Sequence, residues 1–307
     1  MTTRTDRRRF AFCLLGSGLC LLTGCNLFGP RRQPPDDMPA PTPTGDPTKP
    51  SADQLTRYLS NQAALLQSIE CRDLTIDVRA QGNSISLDGT LLCQKPRYFK
   101  LTGKKLGMQQ VLVGSNEEKF WFYVKQDPSD ALYYCSYTDF EKGAELPFPF
   151  HPEWVLEALG MSAPAPSESM RVEDDKTTYR LIEDATVRGQ KVRKVTVFYK
   201  GMAREGQPQV KARGMYDATS NKLICAATVK RVTRVPAGRS GEFATCPEVI
   251  KLEWPAQDTE LTIYLDHVKV NSQLSMQDFQ MPRLGSKTVD LGRDRPTGRS
   301  VMPARYR

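Results

Sequence analysis

Cysteine can act as a nucleophile, bind a metal or carry a lipid, and the 307 residues of this chain include eight cysteines and only two histidines. The histidines, His151 and His267, belong to no HExxH pattern and to no cysteine–histidine cluster with zinc-ligand spacing. The chain also lacks a G-x-S-x-G nucleophile motif and a P-loop. The acidic run Glu173-Asp174-Asp175 has no spaced ligand loop beside it and is interpreted as a solvated turn. We therefore predict no metal, no cofactor and no enzymatic activity.

One cysteine lies where a thiol would be modified with lipid. A basic start with four arginines precedes an apolar stretch from Phe10 to Thr23, whose 14 residues have the length of a signal peptide rather than of a membrane span. The stretch ends in Leu22-Thr23-Gly24-Cys25, which resembles the bacterial lipobox. That resemblance implies a thioether to diacylglycerol at Cys25, cleavage before it, and a further acyl chain on the freed amine. An ordinary secretory signal with a chance cysteine is the alternative.

Lipidation would fix the location of the mature protein. Residues 1–24 are then a lipoprotein signal peptide, and two or three acyl chains at Cys25 hold the protein stably at a membrane facing the periplasm. Asn26 is not the aspartate that resembles an inner-membrane retention signal, so the outer membrane is favoured. Arg7-Arg8-Arg9-Phe10 also resembles a twin-arginine signal, which leaves the twin-arginine and general secretory routes both open.

The net charge of +8 belongs to the two ends of the chain. Residues 1–24 carry +3 and residues 283–307 carry +5, so the part between them is neutral. This distribution argues against nucleic acid as a partner, because a nucleic-acid-binding domain carries its charge on the folded surface. Residues 283–307 lack apolar periodicity and are predicted to form a basic, disordered tail that either solubilises the protein or contacts anionic lipid or cell-wall polymer.

A spacer is predicted after the lipidated cysteine. Eight of the 22 prolines fall within residues 29–50, a density typical of a semi-rigid linker that extends ~3.1 Å per residue. Residues 25–50 are therefore interpreted as the anchor with its linker, and residues 51–282 as one folded domain.

The folded region predicts one helix followed by many short strands. Ser51 and Gln54 have the spacing of a capping box, and helical periodicity continues over 52–69. Alternating apolar and polar residues with short polar turns then predict an antiparallel meander, too long for a flat sheet and therefore curled. A break at 138–176 holds one short helix, with Pro152 at a favourable first position and Gly160 at a favourable end. The fold class is mainly β with flanking helices.

This order of elements resembles the LolA/LolB family of outer-membrane lipoprotein carriers and receptors. The local matches are strand signatures, namely Gly89-Thr90-Leu91, Lys95 to Leu101, Gly114-Ser115-Asn116, Phe120 to Tyr123, and Asn271, Phe279 and Pro282 near the end. The resemblance covers roughly 52–282. It implies an incomplete β-barrel with a helical lid, whose apolar concave face holds acyl chains of a lipid or lipoprotein. A membrane-anchored cysteine corresponds to the receptor type, with a carrier or transfer protein as a further partner.

The resemblance assigns candidate lipid-binding residues, each of which could equally be ordinary core. The wall candidates are Leu74, Ile76, Val78, Leu87, Leu91, Trp121 and Tyr123. In the aromatic run Phe120 to Tyr123, alternation leaves open which pair faces inward. The lid candidates are Trp154, Val155 and Leu159. Cys71 and Cys93 would fall close together across a hairpin formed by 74–80 and 85–93, as a possible disulfide or as buried thiols.

Three functions remain in order of preference. The first is a membrane-anchored lipoprotein that binds acyl chains in lipoprotein sorting or lipid transfer. The second is a structural or adaptor lipoprotein of the same fold with a filled core. The third, an enzyme, is disfavoured by the scarcity of histidines and catalytic motifs.

Overall fold

The computed structural model describes residues 49–80, 82–144, 152–201, 209–238 and 241–293. The expected signal peptide, Cys25, most of the linker, His151 and residues 294–307 lie outside the described residues. Within the described part, one sheet of 15 strands accompanies three short α-helices. The prediction of a mainly β chain built as an antiparallel meander is confirmed.

The helices are α1 Ala52–Ala64, α2 Tyr137–Glu141 and α3 Pro152–Ala158. The strands are β1 Ser68–Ala80, β2 Asn83–Gln94, β3 Tyr98–Lys105, β4 Met108–Ser115, β5 Lys119–Val124, β6 Ala131–Ser136, β7 Arg171–Asp174, β8 Thr178–Val187, β9 Gln190–Tyr199, β10 Val210–Asp217, β11 Leu223–Pro236, β12 Phe243–Trp254, β13 Thr259–Asp266, β14 Lys269–Val270 and β15 Lys287–Asp290. Two 3-10 turns, Pro255–Gln257 and Met276–Phe279, complete the described elements.

The sheet is an open path rather than a closed ring among the described strands. Its order is β15-β6-β5-β4-β3-β2-β1-β13-β12-β11-β10-β9-β8-β7, and β14 pairs beside β13 on β1. Every pair is antiparallel except β15 with β6. The chain thus runs outward from β1 to β6, crosses to β7 and returns strand by strand to β13, which joins the two halves at β1.

Helix α1 begins as predicted and ends earlier than predicted. The Ser51 hydroxyl accepts from the backbone N–H of Gln54, and the Gln54 side chain accepts from the backbone of Ser51, which completes the capping box. The sequence predicts a helix that reaches residue 69, but the helix ends at Ala64. The residues after it are held by the Asn271 side chain, whose amide donates to the Leu65 carbonyl and whose oxygen accepts from the Gln67 N–H. Leu66 and Ile69 still serve as core, in a turn and in β1.

The two faces of the sheet are covered differently. We call inner the face that carries Leu74, Ile76, Leu87 and Leu91, because these side chains share one apolar cluster with helix α3 and with strands from both halves of the sheet. The opposite, outer face of β2–β6 is covered by residues 274–284, which join its apolar clusters through Leu274, Phe279, Met281 and Leu284.

The described fold extends beyond residue 282, where the sequence placed the start of a disordered tail. Strand β15 pairs in parallel with β6, and Leu291 is buried among aromatic residues of the β5–α2 region. The strand was missed because its four residues, Lys-Thr-Val-Asp, carry too little apolar pattern to be separated from a basic tail.

Candidate functional site

The predicted wall residues of the two first strands do line one face. Register pairs Ile76 with Leu87 and Val78 with Ile85, which fixes these side chains on the same side of the sheet. Leu74, Ile76, Leu87 and Leu91 are at most 2% exposed, and Val78 is half-buried at the margin of the same cluster. The inner face of β1 and β2 is therefore continuously apolar.

Gly89 lies opposite Leu74 and leaves room for its side chain. A Cβ built on Gly89 would lie 2.1 Å from the Thr102 carbonyl oxygen and 2.9 Å from Leu74 Cδ1. No side chain fits there, since real Cβ atoms do not approach backbone so closely. The glycine in the Gly89-Thr90-Leu91 signature thus has a steric role in packing β2 against β3 and Leu74.

Helix α3 occupies the inner face. Trp154, Val155 and Leu159 are buried within the same cluster as the wall residues, and the Trp154 ring meets Trp254 edge-on with 5.9 Å between centroids. The helix ends at Ala158, and the turn after it closes at the predicted Gly160, whose φ of +81° lets the Met161 N–H donate to the Leu156 carbonyl. The lid candidates therefore belong to the same apolar cluster as the wall candidates of β1 and β2.

Two cavities lie in the second half of the sheet, and the smaller one borders the inner cluster through Val192 and Met215. One of about 160 Å³ is lined by residues of β8–β11 and the β8–β9 turn, and one of about 690 Å³ lies beside the β10–β11 turn and the turn Pro255–Gln257. Neither is lined by any of the predicted wall or lid residues. Among the described residues, the apolar side chains of α3 are thus buried in the cluster that the sequence analysis assigned to the ligand cavity.

Trp121 and Tyr123 lie on the outer face, contrary to the sequence-based assignment. Their partners across the β4–β5 pair are Gly114 and Leu112, and they pack with Met281 and Leu284 instead of with the inner cluster. Phe122, opposite Val113, takes the inner side. The sequence could not separate the two pairs because four consecutive aromatic residues show no polar alternation.

A buried ion pair joins α3 to the sheet, and sequence reasoning missed it. A guanidinium nitrogen of Arg213 on β10 donates to Glu157 Oε1 at 3.0 Å, and Lys194 on β9 lies 3.8 Å from Glu157 Oε2. The Arg213 side chain is 7% exposed. Burial lowers the pKa of Arg213 while the Glu157 carboxylate opposes that shift. The available signal was the placement of Arg213 in phase with the buried Met215, in a strand too mixed to assign its faces.

Glu183 completes this polar group. It pairs with Lys194 across β8 and β9, and burial raises the pKa of its carboxyl, with the nearby Glu157 charge acting in the same direction. Removing one partner of a buried pair costs about 3–5 kcal/mol, because the other charge stays buried without compensation. The group therefore fixes α3 by charge as well as by apolar packing.

The β3–β4 hairpin presents an apolar tip to solvent. Leu106 and Gly107 form its two-residue turn with φ values of +50° and +77°, a conformation in which asparagine and glycine are favoured. Leu106 is 87% exposed and Met108 64%, and the preceding Lys104 and Lys105 are exposed as well. Leu106 follows two basic residues, adopts a positive φ and buries little apolar surface, so its side chain adds little to the stability of the fold.

The suggested disulfide between Cys71 and Cys93 is absent. Both are free and buried, because register sets Cys71 opposite Leu91 and Cys93 opposite Ile69. The two cysteines are diagonal neighbours, separated by more than the ~3.8 Å between Cβ atoms that a disulfide needs. Burial raises the pKa of both thiols. They serve as small apolar core groups, the alternative that the sequence left open.

The described ranges contain neither a cluster of metal ligands nor a helix that could span a membrane. No group of three or more potential ligands among His, Cys, Asp and Glu occurs there, and His267 is exposed in the turn between β13 and β14. Glu173 and Asp174 are exposed on β7 rather than in a turn, with Asp175 following. None of the helices in these ranges combines the length and apolar character needed to cross a bilayer.

Comparison with known proteins gives likeness in fold at low sequence identity. No family model and no curated protein matches the chain. Among similar solved structures are a DUF1329 family protein from Desulfovibrio piger (11% identity, 75% of this chain and 95% of that one, TM-score 0.42), a domain named for outer membrane lipoprotein sorting from Vibrio parahaemolyticus (11%, 75% and 94%, 0.45), and a LolA superfamily protein from Nitrosomonas europaea (10%, 74% and 97%, 0.44).

Proposed function

We propose that this protein is a membrane-tethered envelope lipoprotein whose inner face binds acyl chains of lipid or lipoprotein when α3 moves aside. The sheet then acts as an incomplete barrel and α3 as its lid. Cys25 carries the anchor, residues 25–50 space the domain from a membrane facing the periplasm, with the outer membrane favoured, and catalysis has no part in the function.

The position of α3 carries this proposal. Helix α3, which begins at Pro152, and the turn that closes at Gly160 bury their apolar side chains in the same cluster as the wall candidates of β1 and β2. Withdrawing Trp154, Val155 and Leu159 would forfeit about 1.5–3 kcal/mol for each side chain. A chain of ~15 methylenes would gain roughly 12 kcal/mol gross in the same place. An acyl chain would therefore offset the lost packing of these three side chains, while the ion pair of Glu157 with Arg213 would have to be replaced separately.

The hairpin tip supplies the contact with the bilayer that transfer requires. Exposed Leu106 and Met108 would insert at headgroup level while Lys104 and Lys105 meet anionic lipid, a combination typical of interfacial binding. The tip ends the same β3–β4 hairpin that contributes Leu101 to the inner cluster. A route from the bilayer to the inner face then follows one hairpin.

The three tryptophans of the chain allow a direct test. Trp254 belongs to the inner cluster and Trp121 to the outer face. Full-length protein carrying Cys25→Ser is prepared in two single-tryptophan forms, W121F/W154F and W154F/W254F, and titrated with bromine-labelled hexadecanoic acid. We expect the bromine to quench the fluorescence of Trp254 and to leave Trp121 unchanged. Equal quenching of both, or none, rejects binding at the inner face.

A second function is favoured by one observation, the filled inner face. An adaptor lipoprotein would keep α3 in place permanently and use its surface alone. Native mass spectrometry of the protein with all three tryptophans intact distinguishes the two functions. Lipid retained on the folded protein supports the carrier. A protein that is measured without ligand and binds no added fatty acid supports the adaptor.

A further inference from the structure

The buried guanidinium beneath α3 has one carboxylate partner, and that partner comes from the helix. Glu157 is the group to which Arg213 hydrogen-bonds among the described residues. Across the strands, Arg213 faces Ala227 on β11 and Thr196 on β9, neither of which carries charge. Lys194, one register step away, also lies near Glu157, but it has the carboxyl-bearing Glu183 opposite it across β8 and β9. With Glu157 withdrawn, one positive charge on the inner face therefore lacks compensation.

We propose that Arg213 is the binding site for the anionic head group of the ligand, a carboxylate or phosphate monoester at the end of an acyl chain, and that Glu157 occupies this site in the ligand-free protein. The inference rests on the proposed binding of acyl chains at the inner face, and adds the chemical class of ligand. A guanidinium suits this role because its fork of N–H donors matches carboxylate and phosphate oxygens with two parallel hydrogen bonds.

Position supports the assignment. Arg213 lies on the inner face in phase with the buried Met215 and opposite Ala227, and both of these residues belong to the apolar cluster that would receive the acyl chain. Lys194 lies within reach of the same carboxylate and would flank the head group. A ligand with an apolar tail and one anionic end would replace both kinds of contact that α3 makes, the packing of Trp154 and the ion pair of Glu157. A neutral ligand would replace the packing alone and leave Arg213 buried without a partner, which is costly.

The test compares two ligands that differ only in the head group, bromine-labelled hexadecanoic acid and the corresponding bromine-labelled alcohol. Both are titrated against the full-length C25S/W121F/W154F protein, in which Trp254 reports binding at the inner face. E157Q removes the charge of the internal competitor and keeps the shape of its side chain. We expect E157Q to tighten binding of the acid on the order of tenfold, with a much smaller change for the alcohol.

A double variant, E157Q/R213M, removes the cation without leaving a buried carboxylate opposite it. A loss of binding in this variant is therefore not explained by an unpaired buried charge that unfolds the protein. We expect it to bind the alcohol as E157Q does and to lose the preference for the acid. If acid and alcohol respond alike in every variant, acyl binding stands and the head-group site is rejected. If neither ligand quenches Trp254 in the protein with native Glu157 and Arg213, the proposed function fails, and the head-group site is rejected with it.

Discussion

At the scale of single residues, side chains that accept hydrogen bonds from nearby backbone N–H groups hold several of the described turns. Asp217 is the example in which one carboxylate accepts four hydrogen bonds. Its carboxylate accepts from the Ser220 N–H at 2.6 Å, from Gln190 Nε2 at 2.9 Å and from the Thr219 N–H at 3.1 Å. These donors, led by the Ser220 backbone, hold the pKa of Asp217 at about 2, below its ordinary value of 3.8. The carboxylate thereby closes the β10–β11 turn and ties it to β9.

This shift predicts acid sensitivity. Because the pKa of Asp217 is lower in the folded protein than in the unfolded chain, its ionised carboxylate contributes fully to the free energy of unfolding above pH ~4. This contribution is lost as the pH falls from ~4 to ~2 and the carboxylate is protonated. We expect Asp217→Asn to lower the unfolding midpoint at pH 6 and to flatten its dependence on pH between 4 and 2, measured by circular dichroism in urea. An unchanged slope in the variant would show that other carboxylates govern this range.

Arg213 illustrates why a buried ion pair between distant residues could not be predicted from the sequence. A single arginine in a mixed strand is most often solvated, and a glutamate on an amphipathic helix likewise. Their pairing depends on β10 and α3 meeting across 56 positions of sequence. By contrast, the Ser51–Gln54 capping box was predicted because both partners lie within one turn of helix.

At the scale of elements, β2 and β3 are packed too closely for a side chain at Gly89. We expect Gly89→Ala to destabilise the protein by at least about 1–3 kcal/mol, because the added methyl meets the Thr102 carbonyl and Leu74. Gly238→Ala is the matched control, since nothing lies within 4 Å of its added Cβ and its φ is not in the left-handed region. Urea unfolding compares the two, and similar midpoints would contradict the close approach.

The β3–β4 hairpin separates stability from membrane contact. Leu106→Asn places a residue that accepts positive φ into the turn, so stability should stay equal or rise by up to about 1 kcal/mol. Binding of the C25S protein to phosphatidylglycerol vesicles in a flotation assay should fall at the same time. Met276→Asn, at a half-exposed methionine in the turn Met276–Phe279, is the control and should bind as the parent does. Retained binding by L106N would remove the tip from the proposal.

At the scale of the whole molecule, the C-terminal segment belongs to the fold. Residues 274–284 cover Trp121 and Tyr123, and the Tyr134 hydroxyl donates to Asp290 at 2.9 Å beside the β15–β6 pairing. The outer face of the first half of the sheet therefore depends on residues that the sequence analysis assigned in part to a tail.

Two truncations test this organisation. We expect deletion of 283–307 to lower the melting temperature by several degrees, because it removes β15, Leu284 and Leu291 and uncovers the outer cluster. Deletion of 294–307 should leave the melting temperature within a degree. Differential scanning calorimetry makes the comparison, and equal melting temperatures for both truncations would show that β15 adds nothing to stability.

The sequence by itself determined the features that repeat locally: the capping box, the alternation of the strands, the polar turns and the Pro152–Gly160 limits of α3. Each arises from dihedral preferences and side-chain periods within a few residues. Tertiary structure alone decided which aromatic residues of β5 face inward, why Cys71 and Cys93 miss each other, that α3 fills the inner face, and that Arg213 meets Glu157. These depend on register and on packing between distant segments, whose energies exist only once the sheet has formed.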